Sequence, residues 1–435
     1  MTNKTDKTLT ALKKHNYWSG DFGDLGYQRS NYLNFLTDSL GSNLIKVLTG
    51  QRRSGKSYIL KQIASYLVKK HNVDPIDILY VNFELLDFHF VKKAKQLQDL
   101  VELYLSEIKT NPSNKSYIFL DEVQDIKGWE LAVNSLLADG RFSKEIFITG
   151  SNSNLISSEL ATYLTGRYIS KDVYPLSFSE YTGFLSLKPN RENLVNFLAL
   201  SQMPETLSLK SEEAIRNYIS SLKDSILLKD IVQRYKVHNA ELIEKLFLFL
   251  VDNIGNPFSL NSMVKKLKTE GIESNAVTLS NYIRYFENSY ILAGVERYDI
   301  KGKQILEGEK KYYVNDTGFK RFLSSNYDLR KSKILENYVF NAFRNHGYRI
   351  YIGRIDTLEI DFIVEKSARR IYVQCAYVLD DDKVIKREYG NLSKIQDSWP
   401  KLVVSMDEWQ NNPQDGIQHI QAWQLEDWIK QSEKF

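Results

Sequence analysis

The chain has 435 residues, 43% of them hydrophobic and 26% charged, with a net charge of +4. That length holds about three domains, and so small an excess of positive charge excludes a chain that is basic throughout, leaving only a local surface for polyanions. Cys375 is the single cysteine, which excludes an intrachain disulfide and fits a reducing compartment. A polar, lysine-rich N-terminus and the lack of any run of roughly 20 apolar residues argue against a signal peptide or a membrane span. The expected location is the cytoplasm, with no membrane partner.

Leu44 to Thr49 is a short apolar run suited to a buried strand, and Tyr58 to Lys69 has helical spacing. Between them Gly50, Gln51, Arg52, Arg53, Ser54, Gly55, Lys56 and Ser57 read G-Q-R-R-S-G-K-S, a complete phosphate-binding loop. Its glycines let the backbone curl so that successive N–H groups face phosphate oxygens, and the next helix adds its positive end. In that motif the lysine reaches the outer phosphates and the serine hydroxyl holds magnesium. Arg52 and Arg53 stand at variable positions and either fits an acidic partner. A strand is expected over Ile78 to Phe83.

Tyr117 to Glu122, Y-I-F-L-D-E, lies at the distance of the carboxylate partner, with Asp121 65 residues after Lys56. Open α/β sheets place their ligands beyond the carboxyl ends of strands. Asp121 is therefore expected to hold magnesium through water and Glu122 to polarise the attacking water, since phosphoryl transfer needs mainly positioning and charge neutralisation. A further strand, Glu145 to Thr149, ends in Gly150–Ser153, G-S-N-S, where Ser151 or Asn152 is placed to touch the γ-phosphate or the water. The alternative is a polar turn leading to a helix cap at Ser153. Arg167 follows a glycine after a helical stretch. Such an arginine can neutralise charge at a neighbouring subunit's triphosphate, or it is a surface residue.

These segments together resemble one family. The phosphate loop, F-L-D-E-V-Q with Trp129 following, F-I-T-G-S-N-S, E-L-A-T-Y-L-T-G-R-Y and Y-P-L-S-F-S-E-Y (Tyr174 to Tyr181) are similar to the prokaryotic AAA-type ATPases with a C-terminal domain long catalogued as of unknown function. The resemblance runs from about Gly26 to the end. It implies ATP rather than GTP, Arg167 as arginine finger, Ser151 and Asn152 as the sensor region, and a homo-oligomer that shares its ATP sites.

Phe178 to Tyr235 has helical spacing and suits a lid. Ala240 to Asn253, Leu260 to Lys268 behind a Ser259 cap, and Asn275 to Asn288 make three helices. Two β-like runs, Tyr290 to Ile300 and Lys310 to Asn315, follow. Three helices and a hairpin are the pattern of a winged helix. Lys265, Lys266, Lys268, Arg297, Lys301, Lys303, Lys310 and Lys311 would give it salt-sensitive phosphate contacts, although such a module equally docks proteins.

From Leu335 the order is a helix (Glu336 to His346), three strands (Arg349 to Arg354, Glu359 to Glu365, Ile371 to Leu379), a helix, and a strand, Leu402 to Met406. This resembles the restriction-endonuclease-like core, in which a helix glutamate, a strand aspartate and an E-x-K or Q-x-K bind magnesium and activate water. Glu336, Asp361 and Gln374 match. The lysine does not, because Ala376 stands in its place, and the expectation is a degenerate site.

The sequence thus predicts an α/β protein with an N-terminal extension (1–25), a P-loop AAA-type parallel sheet (26–175), a helical lid (176–238), a winged-helix segment (239–330) and an endonuclease-like α/β domain (331–435). The expected ligands are ATP and Mg2+. The expected activity is ATP hydrolysis that rearranges the C-terminal half against double- or single-stranded nucleic acid or a protein. An ATP-gated nuclease and a slowly hydrolysing scaffold that does not bind DNA are the alternatives.

Overall fold

The computed structural model describes residues 2–153, 166–324, 331–409 and 416–433. They form two compact units, 1–173 and 174–435. Most of the stretch Glu159 to Gly166, which carries part of the family resemblance, lies outside the described residues.

The first unit is built on five parallel strands, β1 (Ile45–Gly50), β2 (Ile78–Asn82), β3 (Ser116–Asp121), β4 (Lys144–Gly150) and β5 (Tyr168–Val173), in the order β2-β3-β4-β1-β5. Strands buried on both faces read as continuous apolar runs. Alternation then sends Val47, Leu79, Ile118 and Ile146 to one face, and Leu48, Tyr80, Phe119 and Phe147 to the other. Helices α2 (Ser30–Thr37) and α3 (Lys56–His71) cover the second face, where Phe119 and Phe147 stack at 4.6 Å. Helices α1 (Thr2–His15), α4 (Ala94–Glu107) and α5 (Trp129–Ala138) cover the first. β4 lies beside the carboxylate strand and separates it from β1. β5 has no counterpart in the sequence reading: Y-I-S-K-D-V is half-exposed and half polar, without the apolar run that marks its neighbours.

The second unit begins with α6 (Phe178–Phe184), α7 (Arg191–Ala199) and α8 (Glu212–Ser225), the last continuing into a widened π-type segment, Ile226–Gln233. Ser177 and Glu180 form a capping box at α6. Next come α9 (Ala240–Asp252), a short β6 (Pro257–Phe258), α10 (Leu260–Thr269), α11 (Ala276–Asn288), β7 (Leu292–Asp299), β8 (Gln304–Val314) and α12 (Gly318–Leu323). Asn239, Ser259 and Asn275 cap the three central helices with side-chain oxygens. The expected hairpin is present. Its second strand starts at Gln304 rather than Lys310, because pairing with Asp299 extends through the polar stretch assigned to the turn.

The C-terminal elements are α13 (Lys331–Asn345), β9 (Arg349–Ile355), β10 (Leu358–Lys366), β11 (Arg369–Ala376), α14 (Asp382–Ser393), β12 (Lys401–Ser405), β13 (Ile417–Gln421) and α15 (Leu425–Ser432). They share one eight-stranded sheet with the hairpin, in the order β13-β12-β11-β10-β9-β7-β8-β6. The joint is the parallel pairing of β7 with β9, Arg297 with Ile352 and Asp299 with Arg354. One sheet therefore runs through both segments that the sequence divides at residue 331. α13 and α15 pack on one face and α14 on the other.

Candidate nucleotide-binding site

β1 ends at Gly50, whose φ is +150° and where an added Cβ would sit 2.1 Å from Val173 O on β5. Only glycine allows that approach. The loop turns through Arg53 (φ +67°) and Gly55 (φ +97°) into α3, whose first two residues are Lys56 and Ser57. Lys56 Nζ donates to Gly50 O (3.1 Å) and Gln51 O (3.2 Å) and lies 3.3 Å from Glu122 Oε1. The ammonium group is thus held at the mouth of the loop, between it and β3.

Asp121 is fully buried at the end of β3. Its Oδ2 accepts Tyr80 Oη (2.7 Å) and Asn82 Nδ2 (3.2 Å), its Oδ1 accepts Thr149 Oγ1 (2.5 Å), and Ser57 also hydrogen-bonds to it. Burial, then the neighbouring Glu122, push the Asp121 carboxyl above the usual range against the pull of those donors. Glu122 follows with φ +60°. Its N–H donates to Thr149 Oγ1 (2.9 Å), and its Oε2 accepts Gln124 Nε2 (2.6 Å). Gln124 Oε1 in turn accepts the Ser151 N–H (3.4 Å).

The remaining loop residues divide sharply. Arg52 pairs with Glu84 (2.8 Å), so its guanidinium is turned to an acid of the chain, whereas Arg53 is exposed. The Gln51 amide, Ser54 Oγ and Ser151 Oγ are buried atoms without a hydrogen-bond partner. Buried polar atoms are rarely left so. Four of them around one phosphate-binding loop are what an anion with several acceptor and water-bridging oxygens would satisfy. Ser151 and Asn152 are buried at the end of β4, beside the loop strand.

Sequence reasoning missed Arg29. It is buried, donates from Nη1 to Ser54 O (2.8 Å) and lies 4.5 Å from the Tyr32 ring, bracing the loop from the N-terminal side. Tyr80, Asn82 and Thr149 were missed as partners of Asp121, because strand adjacency decides them.

Arg167 stands elsewhere. Its carbonyl accepts the N–H of Ile45, at the start of β1, while the phosphate loop leaves the other end of that six-residue strand, roughly 16–20 Å away. Its exposed side chain donates to Asn134 Oδ1 (2.9 Å).

In the second unit Glu336, Asp361 and Gln374 do come together. Gln374 Oε1 accepts the Asp361 N–H (2.6 Å), Gln374 Nε2 donates to Glu388 (2.6 Å), and Asp361 Oδ2 accepts the Cys375 N–H (2.8 Å). Burial, and then Glu336, raise the Asp361 carboxyl to about 7. A lysine is present after all, from an unexpected element. Lys311 of β8 is buried, with Nζ 3.2 Å from Glu336 and 2.6 Å from Glu359. Glu336 also accepts Lys333 Nζ (2.7 Å) and Tyr313 Oη (2.7 Å); burial pushes its carboxyl up, but the Lys311 and Lys333 ammonium groups, with the phenol, hold it below the usual carboxylate range. Lys366 instead pairs with Glu433. Among the described residues no three His, Cys, Asp or Glu side chains converge as a metal-ligand group, and no helix is long and apolar enough to cross a membrane.

A parallel sheet in this order, a glycine-bounded phosphate loop on β1 and paired acids at the end of β3 define a P-loop ATPase fold of the AAA type. A family model described as an AAA domain matches residues 42–182, and one described as Domain of unknown function (DUF8612) matches residues 191–330. An uncharacterized protein of Haemophilus influenzae is 33% identical over 408 residues, which are 93% of this chain and 98% of that protein. The uncharacterized protein MJ1544 of Methanocaldococcus jannaschii is 30% identical over 355 residues, 78% of this chain and 76% of its own. The chain belongs to the family of these prokaryotic proteins, with an AAA domain at its N-terminal side. Among solved structures, the Walker-type ATPase paby2304 of Pyrococcus abyssi aligns over 68% of this chain and 95% of its own, with 15% identity and a TM-score of 0.42. The Aeropyrum pernix ORC1 protein in complex with DNA aligns over 74% and 97%, with 12% identity and a TM-score of 0.33.

Proposed function

We propose that the protein binds and hydrolyses ATP with Mg2+ and uses the cycle to rearrange its C-terminal module against a nucleic acid or a protein. The observation that carries this is the convergence of Lys56, Ser57, Asp121 and Glu122 at one loop, where buried polar atoms of Gln51 and Ser54, and of Ser151 at the end of the adjacent β4, have no partner. Ser57 and Asp121 offer hard oxygen donors, which suit magnesium. The metal would neutralise phosphate charge, while Lys56 grips the outer phosphates and Glu122, released from Gln124, orients the water. Arg167 is too far from its own loop, so its role requires a neighbouring copy, with hydrolysis dependent on a homo-oligomer. A cytoplasmic setting is part of this reading.

The order α9-β6-α10-α11-β7-β8, with β6 and β7 both pairing β8, supports a winged-helix reading of 239–330. The endonuclease-like site reads as silent: Glu336 is taken up by two ammonium groups and a phenol, leaving no oxygen free for a metal. One observation favours the second reading, an ATP-gated nuclease. Lys311 brings an ammonium group to the acids from β8, where Ala376 brings none.

The test is turnover of ATP by the full chain, against protein concentration, with and without DNA. Glu122→Gln should bind ATP and turn it over at least about 100-fold more slowly; normal turnover would remove the assignment. Magnesium-dependent cleavage of DNA or RNA that Asp361→Ala abolishes would establish the second reading.

A further inference from the structure

The eight-stranded sheet carries a groove of about 700 Å³ on the face that α14 covers, lined among others by Tyr298, Lys303, Arg349, Arg369, Arg370 and Trp399. Five cations line it, the fifth being Lys366, against two carboxylates, Glu365 and Asp397. The carboxylates are committed. Glu365 pairs with Arg370 (2.5 Å), and Asp397 accepts Tyr372 Oη (2.6 Å) and lies 3.7 Å from Lys401 Nζ. Lys303 and Arg349 make no ion pair among the described residues, and Arg369 donates only to a carbonyl, Ser432 O (3.1 Å). Protein side chains therefore leave three positive charges uncompensated, Lys303 and Arg349 in the concavity and Arg369 at its α15 edge.

The sheet register explains the spacing. Arg349, Glu365 and Arg370 are direct partners across β9, β10 and β11, so their side chains rise on one face. The two-residue turn between β10 and β11 has positive φ at both Ser367 (+50°) and Ala368 (+62°), a conformation usually given to glycine or asparagine. It carries Lys366 and Arg369, whose side chains alternate toward α15 and meet Glu433 and Ser432 O there, to the edge of the groove. Two aromatic rings complete the lining. Tyr298 lies 4.8 Å beneath the Arg370 guanidinium, which fixes both, while Trp399 is 39% exposed.

We propose that this groove binds single-stranded nucleic acid, with Lys303, Arg349 and Arg369 on the phosphates and the Trp399 indole as a stacking platform for a base. The pairing of unneutralised cations with an exposed flat ring is the arrangement that suits an unpaired strand. A duplex keeps its bases stacked inside and offers the ring nothing, and an acidic peptide has no use for it. The inference rests on the reading that the C-terminal module engages nucleic acid and names the surface and the form of the strand.

The experiment is fluorescence anisotropy of the full chain with a labelled single-stranded oligonucleotide across a salt series, beside a duplex of the same sequence and polyglutamate as competitor. Arg349→Glu with Arg369→Glu should lower affinity at least about tenfold and shrink the salt slope by about 1.4, two contacts at roughly 0.7 each. Trp399→Ala should weaken single-strand binding by about tenfold while Trp399→Phe retains most of it. A urea midpoint near that of the unaltered chain reports that each variant is folded, since ATP turnover reads only the unit that holds the phosphate loop. If the unaltered chain binds no nucleic acid, the broader reading of the module fails. If it binds and all groove variants bind equally, only this assignment fails. Equal affinity for the duplex, or full competition by polyglutamate with no effect of Trp399→Ala, overturns the single-strand specification.

Discussion

Thr149 and Asp121 are joined by a 2.5 Å hydrogen bond from the threonine hydroxyl to Oδ1, and the same hydroxyl accepts the Glu122 N–H at 2.9 Å. One side chain on β4 thus fixes both acids at the end of β3. Thr149→Val keeps the shape and removes the bond, leaving a buried N–H and a buried carboxylate each short of a partner. The expected loss of stability is about 1–3 kcal/mol in urea denaturation, together with weaker binding of magnesium nucleotide. Thr149→Ser should restore most of both.

Arg167 is exposed, hydrogen-bonds to Asn134 and sits at the far end of β1 from the loop. Arg167→Ala should leave ATP affinity unchanged and cut turnover by about 1,000-fold or more at concentrations where the protein assembles. Turnover equal to the unaltered protein at high concentration would contradict sharing of sites.

Lys311 is buried against Glu336 and Glu359. Lys311→Met takes away the buried one of the two ammonium groups on Glu336, leaving Lys333 and Tyr313, and should cost about 1.5–3 kcal/mol. Adding Glu336→Gln lowers the carboxylate charge left short of a partner, so the double variant should lose less than the sum of the two single ones. A double-mutant cycle in urea reads this directly.

Asp361 gives the fold a pH dependence of definite sign. Its carboxyl lies at about 7 in the folded chain, above roughly 3.9 when unfolded. The folded state therefore holds the proton more tightly. The contribution to stability is complete below about pH 4 and disappears as pH rises through 7, at most about 4 kcal/mol. Asp361→Asn should flatten the unfolding free energy over that window and stabilise the protein above pH 7. An unchanged slope between pH 4 and 7 would place the proton elsewhere.

The phosphate loop and the Asp121–Glu122 pair were legible because each is contiguous and each residue type is demanded by the chemistry of a phosphate or a metal. The helix behind Ser259 was legible from its cap, and its two neighbours from their apolar spacing, while the caps at Asn239 and Asn275 were found only in the structure. What escaped was decided by register. Thr149, Tyr80 and Asn82 meet Asp121 only because β2, β3 and β4 are neighbours. Lys311 reaches Glu336 because β8 lies near α13, and at a separation of 25 positions the chain gives no sign of it. β5 and β13 escaped for another reason: Y-I-S-K-D-V and I-Q-H-I-Q mix polar with apolar positions and lack the unbroken run that marks the central strands. The pairing of β7 with β9, which makes one sheet of two expected modules, leaves no local mark at all.

Titration calorimetry of the full chain with ATP and magnesium tests the grip of Lys56 on the outer phosphates most directly. The account predicts saturable one-to-one binding per chain that Lys56→Ala weakens by at least about tenfold while its urea midpoint stays near that of the unaltered protein. A folded, unaltered protein that takes up no adenine nucleotide, or a Lys56→Ala variant that binds as well, would contradict it.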